Sequence, residues 1–142
     1  MTQPSYDVVE VVAMQLIGSD ASVIPVSSEF SFRTTDPYTV RAVFTGPHTM
    51  STWLLGRELL SLGMHAGSDA PAGTGDVQVW RDEDPDYTLI SLSGVEGSAL
   101  LAAPTEPIAR FLAATEALVP LGTESARMET EITALIAALL TA

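Results

Sequence analysis

The chain has 142 residues, of which 46% are hydrophobic and 17% charged, and its net charge is −12. This composition predicts one globular domain with its own core and excludes disorder as the main state. The six basic residues are all arginines and are scattered singly, a distribution that argues against a nucleic-acid surface. The absence of cysteine excludes disulfides and thiolate metal sites.

The N-terminal segment Met1 to Tyr6 shows no basic run followed by an apolar stretch, so no signal peptide is predicted. No apolar run approaches the about 20 residues that a membrane-spanning helix needs. The sequence therefore predicts a cytoplasmic protein without membrane insertion.

The first half of the sequence predicts an antiparallel meander. Three segments rich in β-branched and aromatic residues are separated by turn residues: Val8 to Leu16, Val23 to Phe32 and Tyr38 to Thr45. Pro25 within the second segment indicates a sheet edge or a bulge, because proline cannot donate a ladder hydrogen bond.

A helix is predicted from Ser51 to Leu62. Leu55, Leu59 and Leu62 follow the i, i+4, i+7 spacing of one helix face. Ser51 is a suitable N-cap and Gly63 a suitable residue just beyond the C-terminus.

The second half predicts further strands, then two helices capped by threonines. A loop of small residues over 66–75 precedes the first of these strands. The order indicates an α+β fold of antiparallel β-meanders, each followed by helix, with C-terminal helices. The predicted strands are Asp76 to Arg81, Tyr87 to Ser93 and Ser98 to Ala102, and the predicted helices are Thr105 to Val119 and Thr123 to Leu140.

An acidic run at Asp82, Asp84 and Asp86 has the spacing that opens a calcium loop. The glycine and glutamate that such a loop needs are replaced by Tyr87 and Ser93. A solvated hairpin tip is the better interpretation.

No residues are predicted to bind a metal or a cofactor or to act in catalysis. The glycines Gly73 and Gly75 lead into a strand without a following lysine, unlike a phosphate loop. The two histidines, His48 and His65, lack companion ligands at suitable spacing. A protein without enzymatic activity is therefore expected, although folding could still pair two of the 18 acids.

The two tryptophans are large anchors that suit either a core or an interface. Trp80 shares a strand face with Asp76 and Gln78 rather than with the valines beside it. For Trp80 a core position and an interface position are both retained as interpretations. For Trp53 a core position is favoured.

The last helix predicts association with another subunit or a partner. Beyond Ile132 its other side is alanine-rich, so the final two turns are apolar nearly all round, as expected of a helix buried on all sides. The predicted oligomer contacts are Ile132, Leu135, Ile136 and Leu139.

Three ordered motifs resemble the SsgA-like proteins of sporulating actinobacteria. They are the turn and strand Thr35 to Val40, the helix that carries Trp53 to Leu60 and the strand motif Gly73 to Trp80. The acidic run Asp82 to Asp86 departs from the family pattern, where this segment is more basic or polar.

The resemblance implies a Whirly-like fold assembled as a homotrimer and a role in cell division during sporulation. The family's archetypal member is understood to mark future septa and to recruit the tubulin-like GTPase FtsZ. Implied partners are thus FtsZ or another division protein, a second copy, or an SsgA-like paralogue, at the septum. The alternative is a Whirly-like single-stranded nucleic-acid binder, which the charge opposes.

Four residues in the matching motifs are predicted to contact a partner. Arg57 and Glu58 form the charged face of an otherwise apolar helix, and Asp76 and Trp80 belong to the matching strand.

Overall fold

A computed structural model describes residues 5–95 and 97–141, without the side chain of Arg127. Outside these residues lie Glu96 and most of the segment Met1 to Tyr6, for which no signal peptide is predicted. The elements in chain order are β1 (Val8–Ile17), β2 (Val23–Arg33), β3 (Asp36–Thr45), β4 (Met50–Gly56), α1 (Arg57–Gly63), β5 (Val77–Arg81), β6 (Tyr87–Gly94), β7 (Gly97–Pro104), α2 (Thr105–Leu118) and α3 (Glu124–Leu140).

The strands form one antiparallel sheet in the order β4-β3-β2-β1-β7-β6-β5. Two meanders, β1–β4 and β5–β7, join where β1 pairs with β7 around Leu16 and Leu101. The first meander leads into α1 and the second into α2 and α3, so the predicted α+β order is confirmed.

The hydrophobic core lies on one face of the sheet, which we call the inner face. Phe30 from β2 meets Phe111 from α2 edge to face, with ring centroids 5.7 Å apart. Val12, Ile90 and Leu101 are buried in the same layer. Because α2 packs across β1, it covers this face only in part.

The sheet has two distinct ends. At the helix end, β4 leads into α1 and β7 leads into α2. At the turn end lie the connections β1–β2, β3–β4 and β6–β7.

The predicted helix from Ser51 to Leu62 is wrong over its first half. Residues 50–56 form the edge strand β4, in which Trp53 pairs with Ala42 of β3. The three leucines of the supposed stripe do not share a face, since Leu55 is buried, Leu59 half-buried and Leu62 exposed. Pairing with β3 overrides the local helical spacing. The N-cap prediction at Ser51 fails with it.

Pro25 lies in an interior strand, yet its position fits the prediction of a local edge. The pairing of β2 with β3 reaches only to Ser27, opposite Thr45, so Pro25 faces β1 alone. Its missing N–H therefore removes no bond to β3.

The threonine caps are only partly as predicted. Thr105 is the first helical residue rather than the N-cap, and its hydroxyl oxygen lies 2.9 Å from that of Thr88. Thr123 does occupy the N-cap of α3, but its hydroxyl donates backwards to the carbonyl of Pro120.

The loop between α1 and β5 contains one glycine that the backbone requires. Gly73 has φ of +95°, and a side chain there would collide with the carbonyl oxygen of Val77. An added Cβ at Gly75 would meet nothing within 4 Å. The backbone therefore requires glycine at Gly73 and not at Gly75.

We expect Gly73→Ala to lower the free energy of unfolding by about 1–3 kcal/mol, the cost of a strained backbone residue. Gly75→Ala is the matched control and is expected to change it by less than about 0.5 kcal/mol. Urea unfolding of both variants checks this, and equal losses would contradict it.

Candidate partner-binding surfaces

Arg57, the first residue of α1, lies at the helix end and is fully buried. Its Nη1 atom donates to the carbonyl oxygens of Val119 at 2.7 Å and Thr115 at 3.2 Å, at the C-terminus of α2. Its Nη2 atom lies 3.2 Å from the Glu124 carboxylate, and its Cζ atom lies 5.1 Å from the centre of the Phe32 ring. Arg57 thereby joins α1, α2, β2 and the first residue of α3.

Glu124 is the other partner of this ion pair and the first residue of α3. It fixes the N-terminal end of this helix, which we call the root of α3. One carboxylate oxygen faces Arg57, and the other accepts the Gly122 N–H at 2.6 Å. Burial opposes ionisation of this carboxyl, but its own backbone N–H, the Arg57 guanidinium and Gly122 outweigh that cost. They hold the pKa of Glu124 below its usual value of 4.5.

This lowered pKa predicts an acid-sensitive contribution to stability. The ionised carboxylate stabilises the fold above about pH 4.5, and this contribution is lost as the pH falls through the lower folded-state pKa. Wild type and Glu124→Gln should therefore differ most at neutral pH and converge in acid. Urea unfolding of both proteins between neutral pH and about pH 3 checks this. A difference that stays constant over that range would contradict it.

The four residues predicted to contact a partner do not share one surface. Arg57 is in the interior, so its predicted place on an exposed charged face is wrong. Glu58 is exposed beside the root of α3, and it borders a small cleft with Tyr38 and Ser125. Asp76 is exposed just before β5, where its carbonyl oxygen accepts the N–H of Ser93. Trp80 is half-buried on the outer face of the sheet, opposite Leu89 of β6.

The outer half of α3, defined as Ile132–Leu140, is exposed along its whole length. More than half of the accessible surface of Leu135 and of Leu139 is open to solvent, at 58% and 67%. A single chain thus leaves uncovered the apolar residues that the sequence predicts to be buried. Large exposed apolar patches mark interaction sites.

A second apolar surface lies at the turn end, on the part of the inner face that α2 leaves open. This turn-end groove has a volume of about 870 Å³. Leu16, Phe44, Trp53 and Leu92 lie in its floor and walls, and Thr49 stands at its rim. The sequence did not predict it, because its lining comes from the ends of separate strands.

The acidic run and the two histidines were the other candidates for binding or catalysis, and their surroundings do not support either role. Asp84 accepts the N–H of Asp86 at 3.1 Å and closes the hairpin turn, as the solvated-tip interpretation predicted. His48 and His65 are exposed. Among residues 5–95 and 97–141 no three His, Asp or Glu side chains gather closely enough to hold a metal ion. Within the same residues no helix has the length and apolarity to span a membrane.

Known proteins similar to this chain include SsgB from two actinobacteria. Residues 26–124 match the family described as Streptomyces sporulation and cell division protein, SsgA. The sporulation-specific cell division protein SsgB of Streptomyces coelicolor is 42% identical over 114 residues, which are 78% of this chain and 80% of that protein. SsgB of Salinispora tropica is 35% identical and covers 84% of each chain.

Solved structures show the same similarity at the level of the fold. An SsgB structure from a study of longitudinal cell division during sporulation of Streptomyces coelicolor superposes with a TM-score of 0.76 at 39% identity, over 84% of this chain and 94% of that one. The SsgA-like sporulation-specific cell division protein of Thermobifida fusca superposes with a TM-score of 0.78 at 33% identity, over 97% and 98%. The likeness inferred from the three motifs is confirmed, and the chain belongs to the SsgA family of sporulation and cell division proteins.

Proposed function

We propose that this protein acts in sporulation-specific cell division as a non-enzymatic regulator that marks septum sites and recruits or activates FtsZ. The observation that carries the proposal is the match to the SsgA family over residues 26–124, together with relatives named sporulation-specific cell division protein SsgB. Its proposed place of action is the cytoplasm at the septum.

The proposed mode of action is binding by a symmetric oligomer. The exposed outer half of α3 supports a homo-oligomer, for which we propose the Whirly-like trimer implied by the family resemblance. An oligomer presents several identical partner surfaces, so that contacts that are weak singly gain strength together. An SsgA-like paralogue is a further proposed partner, since it would offer a comparable helix.

The proposed contacts for FtsZ or another division protein are Glu58, Asp76 and Trp80. Both acids are exposed, and within the described residues neither forms an ion pair. They are therefore free to meet basic groups of a partner. Trp80 is only half-buried and offers an aromatic surface close to Asp76 in sequence.

The arginine positions weigh against nucleic-acid binding, the alternative function. Arg57 is buried, Arg110 pairs with Glu10, and Arg33 stacks on the Tyr6 ring at 4.9 Å. Phosphate contacts need accessible cations, and the net charge of −12 repels the backbone. Any observed nucleic-acid binding that weakened steeply with salt would favour this alternative.

Co-sedimentation with FtsZ and GTP tests the proposal. We expect this protein to pellet with the polymer and to increase polymer yield, and Glu58→Arg combined with Asp76→Arg to weaken co-pelleting by reversing two charges. Asp69→Arg, at an exposed loop position outside the proposed contacts, is the charge-matched control for one of the two reversals. No association at micromolar concentrations would refute direct FtsZ recruitment.

A further inference from the structure

The chain carries two unpartnered apolar surfaces, the turn-end groove and the outer half of α3. Both are open in the single chain. Their position on one polypeptide means that each copy of an oligomer can both offer a helix and accept one.

The two surfaces match in charge. The described residues that line the groove include no Asp, Glu or Arg. The outer half of α3 also lacks charged residues, from Ile132 to Leu140. Among the described residues that form the two surfaces, burying one surface against the other desolvates no ionised side chain.

The geometry separates the helix from the groove of its own chain. The ion pair of Arg57 with Glu124 fixes the root of α3 at the helix end, whereas the groove opens at the turn end. The ten residues of β1 place these ends about 33 Å apart. The 17 residues of α3 span about 25 Å, and the outer half stands away from its own sheet.

We infer that the outer half of α3 seats in the turn-end groove of a second copy of this chain. This inference rests on the homo-oligomer proposed above and specifies its contact. The contact is heterologous, because helix meets groove rather than its own equivalent. Heterologous contacts that close produce rings, which suits a trimer.

Cross-linking tests this arrangement, since the native chain contains no cysteine. A tagged Leu139→Cys chain is mixed with an untagged chain carrying Thr49→Cys or Ala99→Cys at the groove, and a short bis-maleimide is added. We expect these pairs to give several times more cross-links between tagged and untagged chains than the control pair of Leu139→Cys with Thr52→Cys. Thr52 is exposed on β4 outside the groove lining.

Three results would overturn the inference. If Leu139→Cys alone cross-links efficiently with itself while the mixed pairs stay at the Thr52→Cys level, the helices pack on one another. If the mixed pairs give the same cross-link yield as the control pair, and Leu139→Cys does not cross-link with itself, another contact holds the oligomer. If the chain is monomeric at every concentration, the homo-oligomer fails as well, whereas FtsZ co-sedimentation still tests the division role separately.

A blocking substitution gives an independent readout. Thr49→Arg places a charge at the rim of the groove and is expected to raise the oligomer dissociation constant at least tenfold. Thr52→Arg adds the same charge on the same edge of the sheet and should leave it unchanged. Circular dichroism of both variants confirms folding, and equal dissociation constants would contradict the inference.

Discussion

Replacing Arg57 with Ala is expected to lower the free energy of unfolding by about 3–5 kcal/mol, the usual cost of breaking a buried ion pair. The substitution leaves the Glu124 carboxylate without its cation and removes the donor for the carbonyl oxygens of Thr115 and Val119. It also opens a cavity beside Phe32. Urea unfolding at fixed protomer concentration measures the loss.

The matched control is Arg110→Ala, which removes the same type of side chain from an exposed ion pair with Glu10. Exposed pairs contribute about 0–1 kcal/mol, so its effect should be small. In a double-mutant cycle, Arg57→Leu with Glu124→Leu should lie closer to wild type than either single variant does. A loss at Arg57 no larger than at Arg110 would contradict the proposed anchor.

The second large effect is expected on assembly, from deleting the outer half of α3. Burying a Leu or Ile side chain contributes about 1.5–3 kcal/mol, so losing Leu135, Ile136 and Leu139 should raise the oligomer dissociation constant at least about a thousandfold. Truncation after Ile132, and full-length Leu135→Asp with Leu139→Asp, should both give monomers by light scattering.

Thr130→Asp is the control for the second variant, because it adds the same kind of charge on an exposed position of the same helix before the apolar segment. It should leave the oligomer intact. An unchanged oligomeric state after truncation would refute α3 as the association element.

Local sequence signals predicted most of the fold. The boundaries of β1, β2 and β6 follow from runs of β-branched and apolar residues between turn residues, and α2 ends close to Pro120 as expected. The strand β4 escaped prediction because its identity depends on pairing with β3, while Leu55 and Leu59 imitate a helix face.

The candidate surfaces were less predictable for a different reason. Arginine is rarely buried, so the motif alone placed Arg57 on the surface. Its interior position depends on carbonyl oxygens 58 and 62 residues further along the chain, which only the folded chain brings near. The groove likewise combines strand ends that are distant in sequence. By contrast, the apolar outer half of α3 was visible directly, because helix periodicity is a local property.

The proposed function depends on two parts, an anchored helix that would assemble the protein and a surface that would bind the division machinery. We propose that Arg57 and Glu124 fix the direction of α3, that α3 builds the oligomer, and that the oligomer gives avidity for FtsZ. Each step has its own variant, so a failure can be assigned to one of them.

The most direct measurement compares FtsZ co-pelleting by the wild-type oligomer and by the Leu135→Asp, Leu139→Asp variant at equal protomer concentration. Avidity contributes about 100-fold or more, so the variant should need at least that increase in concentration for the same bound fraction. Equal pelleting by both proteins would show that assembly is not how this chain engages FtsZ, and pelleting by neither would show that FtsZ is not its direct partner.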